Sequence, residues 1–159
     1  MAAYLGLPYA FASHFAPAAL DEALAVYRSS FRPSAYLQRP YAMVAAGCFA
    51  AETDDEAHFL RSSQMLAFAR LRSGQPGKLP RPVRDVTDEV PASLLRQVEG
   101  ALSFSATGGP ATLEAQFRAL IARTQPDEMI LTGAIHDPAR RIRSFEIASE
   151  VLQGLMAPA

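Results

Sequence analysis

The sequence predicts an α/β protein with parallel strands. Three observations carry that prediction. Short apolar runs alternate with amphipathic stretches four times along the 159 residues. Two of the runs are almost continuously apolar, as strands covered on both faces are. Helix-start signals follow the runs, with Pro17, Pro110 and Pro138 placed where the first helical N–H has no partner to lose.

The first run is Tyr9–Ser13, and the helix after it spans about Pro17 to Phe31, with Leu20, Leu24, Tyr27 and Phe31 on one side. The second run, Tyr41–Ala46, is nearly all apolar and continues to Cys48 and Phe49 at the strand end. Thr53-Asp54-Asp55-Glu56 then reads as a capping box, in which the Thr53 hydroxyl accepts from the Glu56 N–H and Glu56 reaches back. The helix from Glu56 to Arg72 carries Leu60, Ser63, Ala67 and Leu71 on one face. Residues 74–91 hold Gly74, Pro76, Gly77, Pro80, Pro82 and Pro91, which break any regular element and mark an insertion rather than a domain boundary. A further helix runs from Pro91 to Ala101 with Leu94, Leu95 and Val98. The third run, Leu102–Thr107, alternates more and leads through Gly109, an N-cap, into a helix bearing Leu113, Phe117, Leu120 and Ile121. The fourth run is Met129–Thr132. Asp137 caps the last helix, whose face is Ile142, Phe145, Ala148, Leu152 and Leu155.

Composition narrows the function classes. Fifteen Lys and Arg against sixteen Asp and Glu give a net charge of −1, without the basic excess of a general nucleic-acid binder or a polybasic membrane module. Half the residues are hydrophobic and 19% are charged, which excludes intrinsic disorder and lets residues 1–159 bury a core as one domain. One cysteine makes no internal disulfide framework. No apolar run of about 18 residues exists, and Met1–Phe15 lacks a basic leader and is broken by Gly6 and Pro8, so a cytoplasmic location is expected. Two architectures compete: an open doubly wound sheet, and half of a (β/α)8 barrel, which needs about 250 residues in full. Met1–Leu5 reads as the last turn of a helix closed by Gly6, implying that the chain starts mid-fold.

Several stretches resemble one family. Gly6–Phe15 (GLPYAFASHF) is similar to the strand-five region of the bacterial-luciferase-like, flavin-dependent (β/α)8 monooxygenases. Phe104–Pro110 resembles their strand-seven turn, with Gly109 where serine or threonine is usual. Asp127–Leu131 resembles the lead into strand eight, and Ile135–Asp137 with Arg141–Glu146 resembles the final-helix signature. The resemblance covers nearly the whole chain and only the C-terminal half of that family. It implies four parallel strands, five to eight of a TIM barrel, FMN as cofactor, a reduced flavin that reacts with oxygen and oxidises a small organic substrate, and a flavin reductase as a partner. The family's catalytic histidine, much of its flavin pocket and a Gly/Ser-rich phosphate-binding turn lie in the half with no counterpart here. The alternative is a non-catalytic truncated half-barrel, or a subunit that self-associates or pairs with a complementary half-barrel chain, because a half-barrel has two open edges. A third possibility is an independent doubly wound domain with a small ligand at its strand ends.

Active sites of such barrels lie at the C-terminal strand ends. By the resemblance, Ser13, His14 and Phe15 line the flavin ring or the substrate; read plainly, they are a polar strand terminus. Gly108 and Gly109 open a helix whose free N–H groups can hold a phosphate, although a tight βα turn explains them as well. Cys48 reads as a small buried hydrophobe rather than a nucleophile. His136 and Asp137 could do acid–base chemistry, but adjacent residues seldom aim at one another and Asp137 already serves as an N-cap. His58 reads as an ordinary helix residue, Arg140, Arg141 and Arg143 as the solvated side of the final helix, and Asp54-Asp55-Glu56 as charge complementing a helix dipole rather than a metal site.

Overall fold

The computed structural model describes residues 1–13 and 16–156. A short helix α1, Ala2–Leu5, ends at Gly6, which takes the left-handed conformation (φ 61°, ψ 41°) and donates back to the helix carbonyls. A side chain there would also collide with Ser34, so glycine is required twice over. The strands are β1 (Tyr9–Phe11), β2 (Ala42–Ala50), β3 (Ser105–Gly108) and β4 (Glu128–Thr132). The longer helices are α2 (Leu20–Ser29), α3 (Asp54–Arg72), α4 (Ala92–Ala101), α5 (Pro110–Thr124) and α6 (Pro138–Met156).

Most expected helix starts are in place. Thr53 Oγ1 accepts from the Glu56 N–H at 3.2 Å, and Asp137 Oδ1 accepts from the Arg140 N–H at 2.9 Å. The capping box is half formed, because the Glu56 carboxylate is drawn 2.7 Å from Arg140 instead of reaching back. Pro17 opens a 3-10 turn, Pro17–Ala19, ahead of α2. The third run is shorter than its apolar pattern. Leu102 continues the buried face of α4 one turn beyond Val98 and packs with it against Leu66 and Ala69 of α3, so the strand begins only at Ser105.

All strand pairs are parallel, and β2 is the hub. Successive residues of a strand present their backbone groups to alternate edges. Tyr41 accepts from the Tyr9 N–H and the Gly47 N–H donates to Phe104, so β1 and β3 share one edge of β2, end to end. Ala42 accepts from the Asp127 N–H, which places β4 on the opposite edge. This corrects the expected run of four consecutive barrel strands. Such a run would set β3 between β2 and β4, whereas β4 pairs with Met43–Gly47 directly. The physical reason is that the Met43–Gly47 edge is already filled by β4, while β3, four residues long, pairs with Gly47–Ala50 beyond the end of β1.

The two faces of the sheet are treated differently. On one, α2 packs over Val44, Ala46, Tyr9 and Phe11, and α5 and α6 pack over Cys48, Ala50 and Ala106. On the other, α3 covers Phe49 and Ala51 at the C-terminal end, with α4 behind it. The lower part of that second face has no cover among the described residues: Ala10 and Glu128 are exposed, Met43 is half-buried, and Ile130 keeps 42% of its surface. A parallel sheet ordinarily has both faces covered.

The proline-rich segment is pinned rather than loose. The Val83 N–H donates to Ser62 Oγ at 2.8 Å, Val83, Val86 and Val90 pack on α3 and α4, and Asp85 caps a 3-10 turn, Val86–Asp88. No described helix is long and apolar enough to cross a membrane.

Candidate functional site at the strand ends

The C-terminal ends of β2, β3 and β4 lie toward one end of the sheet, where α3, α5 and α6 begin, while β1 ends lower, opposite Val44. Ser13 follows the end of β1, level with the middle of β2. It is fully buried, and its hydroxyl donates to the Ala45 carbonyl at 2.5 Å, stitching the strand end to β2. Its proton is thus committed to the backbone, and any further partner would have to be a donor to its oxygen. His14 and Phe15 lie outside the described residues.

Gly108 and Gly109 form the turn from β3 into α5. Gly108 has φ 156°, and a side chain on it would meet Asp54 and Thr112. The anion at this helix start is the protein's own. Asp54 Oδ1 accepts from the Gly109 N–H at 2.7 Å and Oδ2 from the Thr112 hydroxyl at 2.9 Å. The Gly109 bond, then the Thr112 bond, hold the Asp54 carboxyl below its ordinary pKa. The Gly109 N–H, one of the groups a phosphate could have used, is therefore taken by a carboxylate 55 residues away in sequence, and the turn fits the tight βα reading as well. The starts of α3 and α6 are capped in turn by Thr53 and Asp137.

Cys48 is fully buried between sheet and helices, and desolvation pushes its thiol up to about 12. It packs; it does not react. His136 is exposed beside the Asp137 cap, at the rim of a cavity of about 280 Å³. Of the final helix's arginines, Arg140 pairs with Glu56, and Arg143 pairs with Glu52 at 2.9 Å and with Glu146 at 3.4 Å. His58 is exposed on α3. Among the described residues no group of three His, Cys, Asp or Glu side chains could hold a metal ion.

Three tethers have no local sequence signal. Ser144 Oγ of α6, buried, accepts from the Ala50 N–H at the end of β2 at 2.8 Å. Gln64 Oε1 of α3 accepts from the Ala134 N–H just beyond β4 at 3.0 Å. Arg61 of α3, its pKa lowered by burial, donates to the Leu102 carbonyl at 3.3 Å and to Thr107 Oγ1 at 3.4 Å. Each ties a strand end to a helix, so the polar groups here mainly hold the loops in position.

No protein-family model matches the chain. A luciferase-like monooxygenase of Escherichia coli K12 is 42% identical over 156 residues, which are 98% of this chain and 47% of that protein. The crystal structure of apo-MsnO8 superposes with a TM-score of 0.78 at 27% identity, over 99% of this chain and 48% of that one. A type II Baeyer–Villiger monooxygenase from Pseudomonas putida, the oxygenating constituent of 3,6-diketocamphane monooxygenase solved in complex with FMN, shares the fold at TM-score 0.50 and 15% identity, over 97% of this chain and 43% of that one. The chain spans about half the length of the relatives it matches. Its sequence and its parallel α/β fold are, over nearly its whole extent, similar to about half of a luciferase-like monooxygenase.

Proposed function

We propose that this chain is part of a luciferase-like, FMN-dependent monooxygenase, acting on a small organic substrate with a flavin reductase as electron source. The observation that carries the reading is the half-covered sheet. A homologue of about twice the length and a bare lower face on β1, β2 and β4 support placing further polypeptide on that face. In this reading β1, β2 and β4 are neighbouring strands of a larger closed sheet, and β3 is an added strand beside the upper half of β2.

The described residues do not by themselves fit the phosphate of FMN. The α5 start is closed by Asp54, the α6 start by Asp137, and the α3 start carries Asp54, Asp55 and Glu56, which repel an anion. Ser13 remains a candidate for the wall of the flavin pocket through its oxygen, together with His14 and Phe15. What this chain contributes is position: its tethers fix the strand ends from which a flavin pocket is completed by polypeptide on the open face, whether a complementary chain or a second copy.

The test is flavin binding by the chain alone and after completion. FMN is titrated into the purified chain, followed by absorbance near 450 nm with solution mass measured in parallel. The chain is then co-expressed with the segment of the E. coli relative that it does not match. Flavin retained after co-purification, and none by the isolated monomer, supports the reading. A monomer that binds FMN stoichiometrically refutes the need for completion, and a tight complex that never takes up flavin refutes the flavin assignment.

A further inference from the structure

The proline-rich segment packed on α3 brings two arginines to the cavities around one aromatic residue, and the flavin reading leaves them unused. Val83 is pinned to Ser62 at 2.8 Å. Arg81 and Arg84 flank that anchor in sequence, and each lines a cavity that Phe59, half-buried on α3, also lines. The Arg84 guanidinium lies 5.9 Å from the Phe59 ring centre. Two adjoining cavities of about 280 and 340 Å³ share Phe59 and Arg140, the first walled by Arg81, Pro82 and His136, the second by Arg84.

The carboxylates around these cavities are largely spoken for. Glu56 is paired with Arg140 at 2.7 Å. Asp137 caps α6 through the Arg140 N–H. Asp55 sits in the first turn of α3, where the helix dipole offsets its charge. Arg81 and Arg84, by contrast, form no ion pair among the described residues. An apolar floor with a few convergent donors at its rim is the usual form of a small-molecule site, and guanidinium groups match carboxylates in shape and charge.

We infer that Phe59, Arg81 and Arg84 form a binding site for a small organic anion, an aryl carboxylate whose ring lies on Phe59 and whose charge is taken by the two arginines. The site needs neither flavin nor the missing cover of the sheet, so it stands or falls apart from the proposed function. Benzoate, benzyl alcohol and inorganic phosphate are titrated separately into the full chain, with binding read by two-dimensional NMR shifts. The expected result is saturable binding of benzoate, with shifts centred on Phe59, Arg81 and Arg84, and an affinity at least about tenfold above that of the neutral alcohol and of phosphate. Arg81→Gln with Arg84→Gln should lower benzoate affinity about tenfold while leaving the spectrum elsewhere unchanged, because both side chains are exposed. Phe59→Leu should weaken benzoate and leave phosphate as it was. Equal binding of benzoate by the double variant, equal binding of benzyl alcohol or of phosphate, or no saturable binding of benzoate up to about 10 mM would each overturn the assignment.

Discussion

Removing the hydroxyl of Ser13 separates two roles that the sequence alone leaves entangled. The residue is fully buried and gives its proton to the Ala45 carbonyl at 2.5 Å. In Ser13→Ala that carbonyl loses a donor in a place water does not reach. A buried bond of this type contributes about 1 kcal/mol, and a stranded partner raises the loss to about 1–2 kcal/mol. For a domain of this size each kcal/mol moves the midpoint by about 2–4 °C, so the melting temperature should fall by about 2–8 °C. Circular dichroism melts of the two proteins at pH 7 measure it. A midpoint unchanged within about 1 °C, less than the smallest shift a lost buried hydrogen bond would cause, would refute the structural argument for Ser13.

Other outcomes follow from the same reasoning. Ser144→Ala strands the Ala50 N–H and should cost about 1–3 kcal/mol, with hydrogen exchange at Ala50 accelerating first. Cys48, with a thiol pKa of about 12 against an ordinary 9.0, is about one part in ten thousand thiolate at pH 8 rather than about a tenth. It should resist Ellman's reagent until urea unfolds the chain, and immediate stoichiometric labelling would contradict its burial. Asp54 has a depressed folded pKa, so its contribution is present above the ordinary value of 3.8 and lost as pH falls through the folded value. Asp54→Asn should therefore melt below wild type at pH 7, and the gap should close in acid; a gap of constant size would mean that charge is not what the Gly109 N–H requires.

The periodicities made the order of elements legible because each helix buries one face against the sheet. Leu20, Leu24 and Tyr27 of α2, and Leu113 and Phe117 of α5, are buried as their spacing requires. Boundaries failed where one apolar residue serves two patterns, as Leu102 does between α4 and β3. Sheet order was not legible at all. Whether β4 or β3 fills the second edge of β2 depends on which backbone groups face which side, and no side-chain pattern records that. The site shows the same limit. Thr53 and Asp137 announce themselves as caps by local spacing, but Asp54 also reads as a simple first-turn charge, and its bond to Gly109 appears only when α3 and α5 start side by side. Ser144, Gln64 and Arg61 act across 94, 70 and up to 46 residues, beyond any local motif.

The polar chemistry and the bare face point the same way. A chain evolved to hold an anion at its strand ends would leave a helix start open toward it, since free N–H groups and the dipole supply that affinity. Here the chain's own side chains close those starts, and the closures cost nothing in exposed charge because Asp54 and Asp137 sit at the positive ends they neutralise. Yet the opposite investment is missing on the lower face, where Ile130 and Met43 of a parallel sheet meet solvent. Leaving that face bare forgoes about 25 cal/mol for each Å² of apolar surface a covering layer would remove from water. In the proposed function, rigidly held strand ends and an uncovered face beside them fit together if the covering polypeptide also supplies the anion cradle. On the proposed reading, flavin binding should therefore require completion of the sheet, and the incomplete chain should retain none.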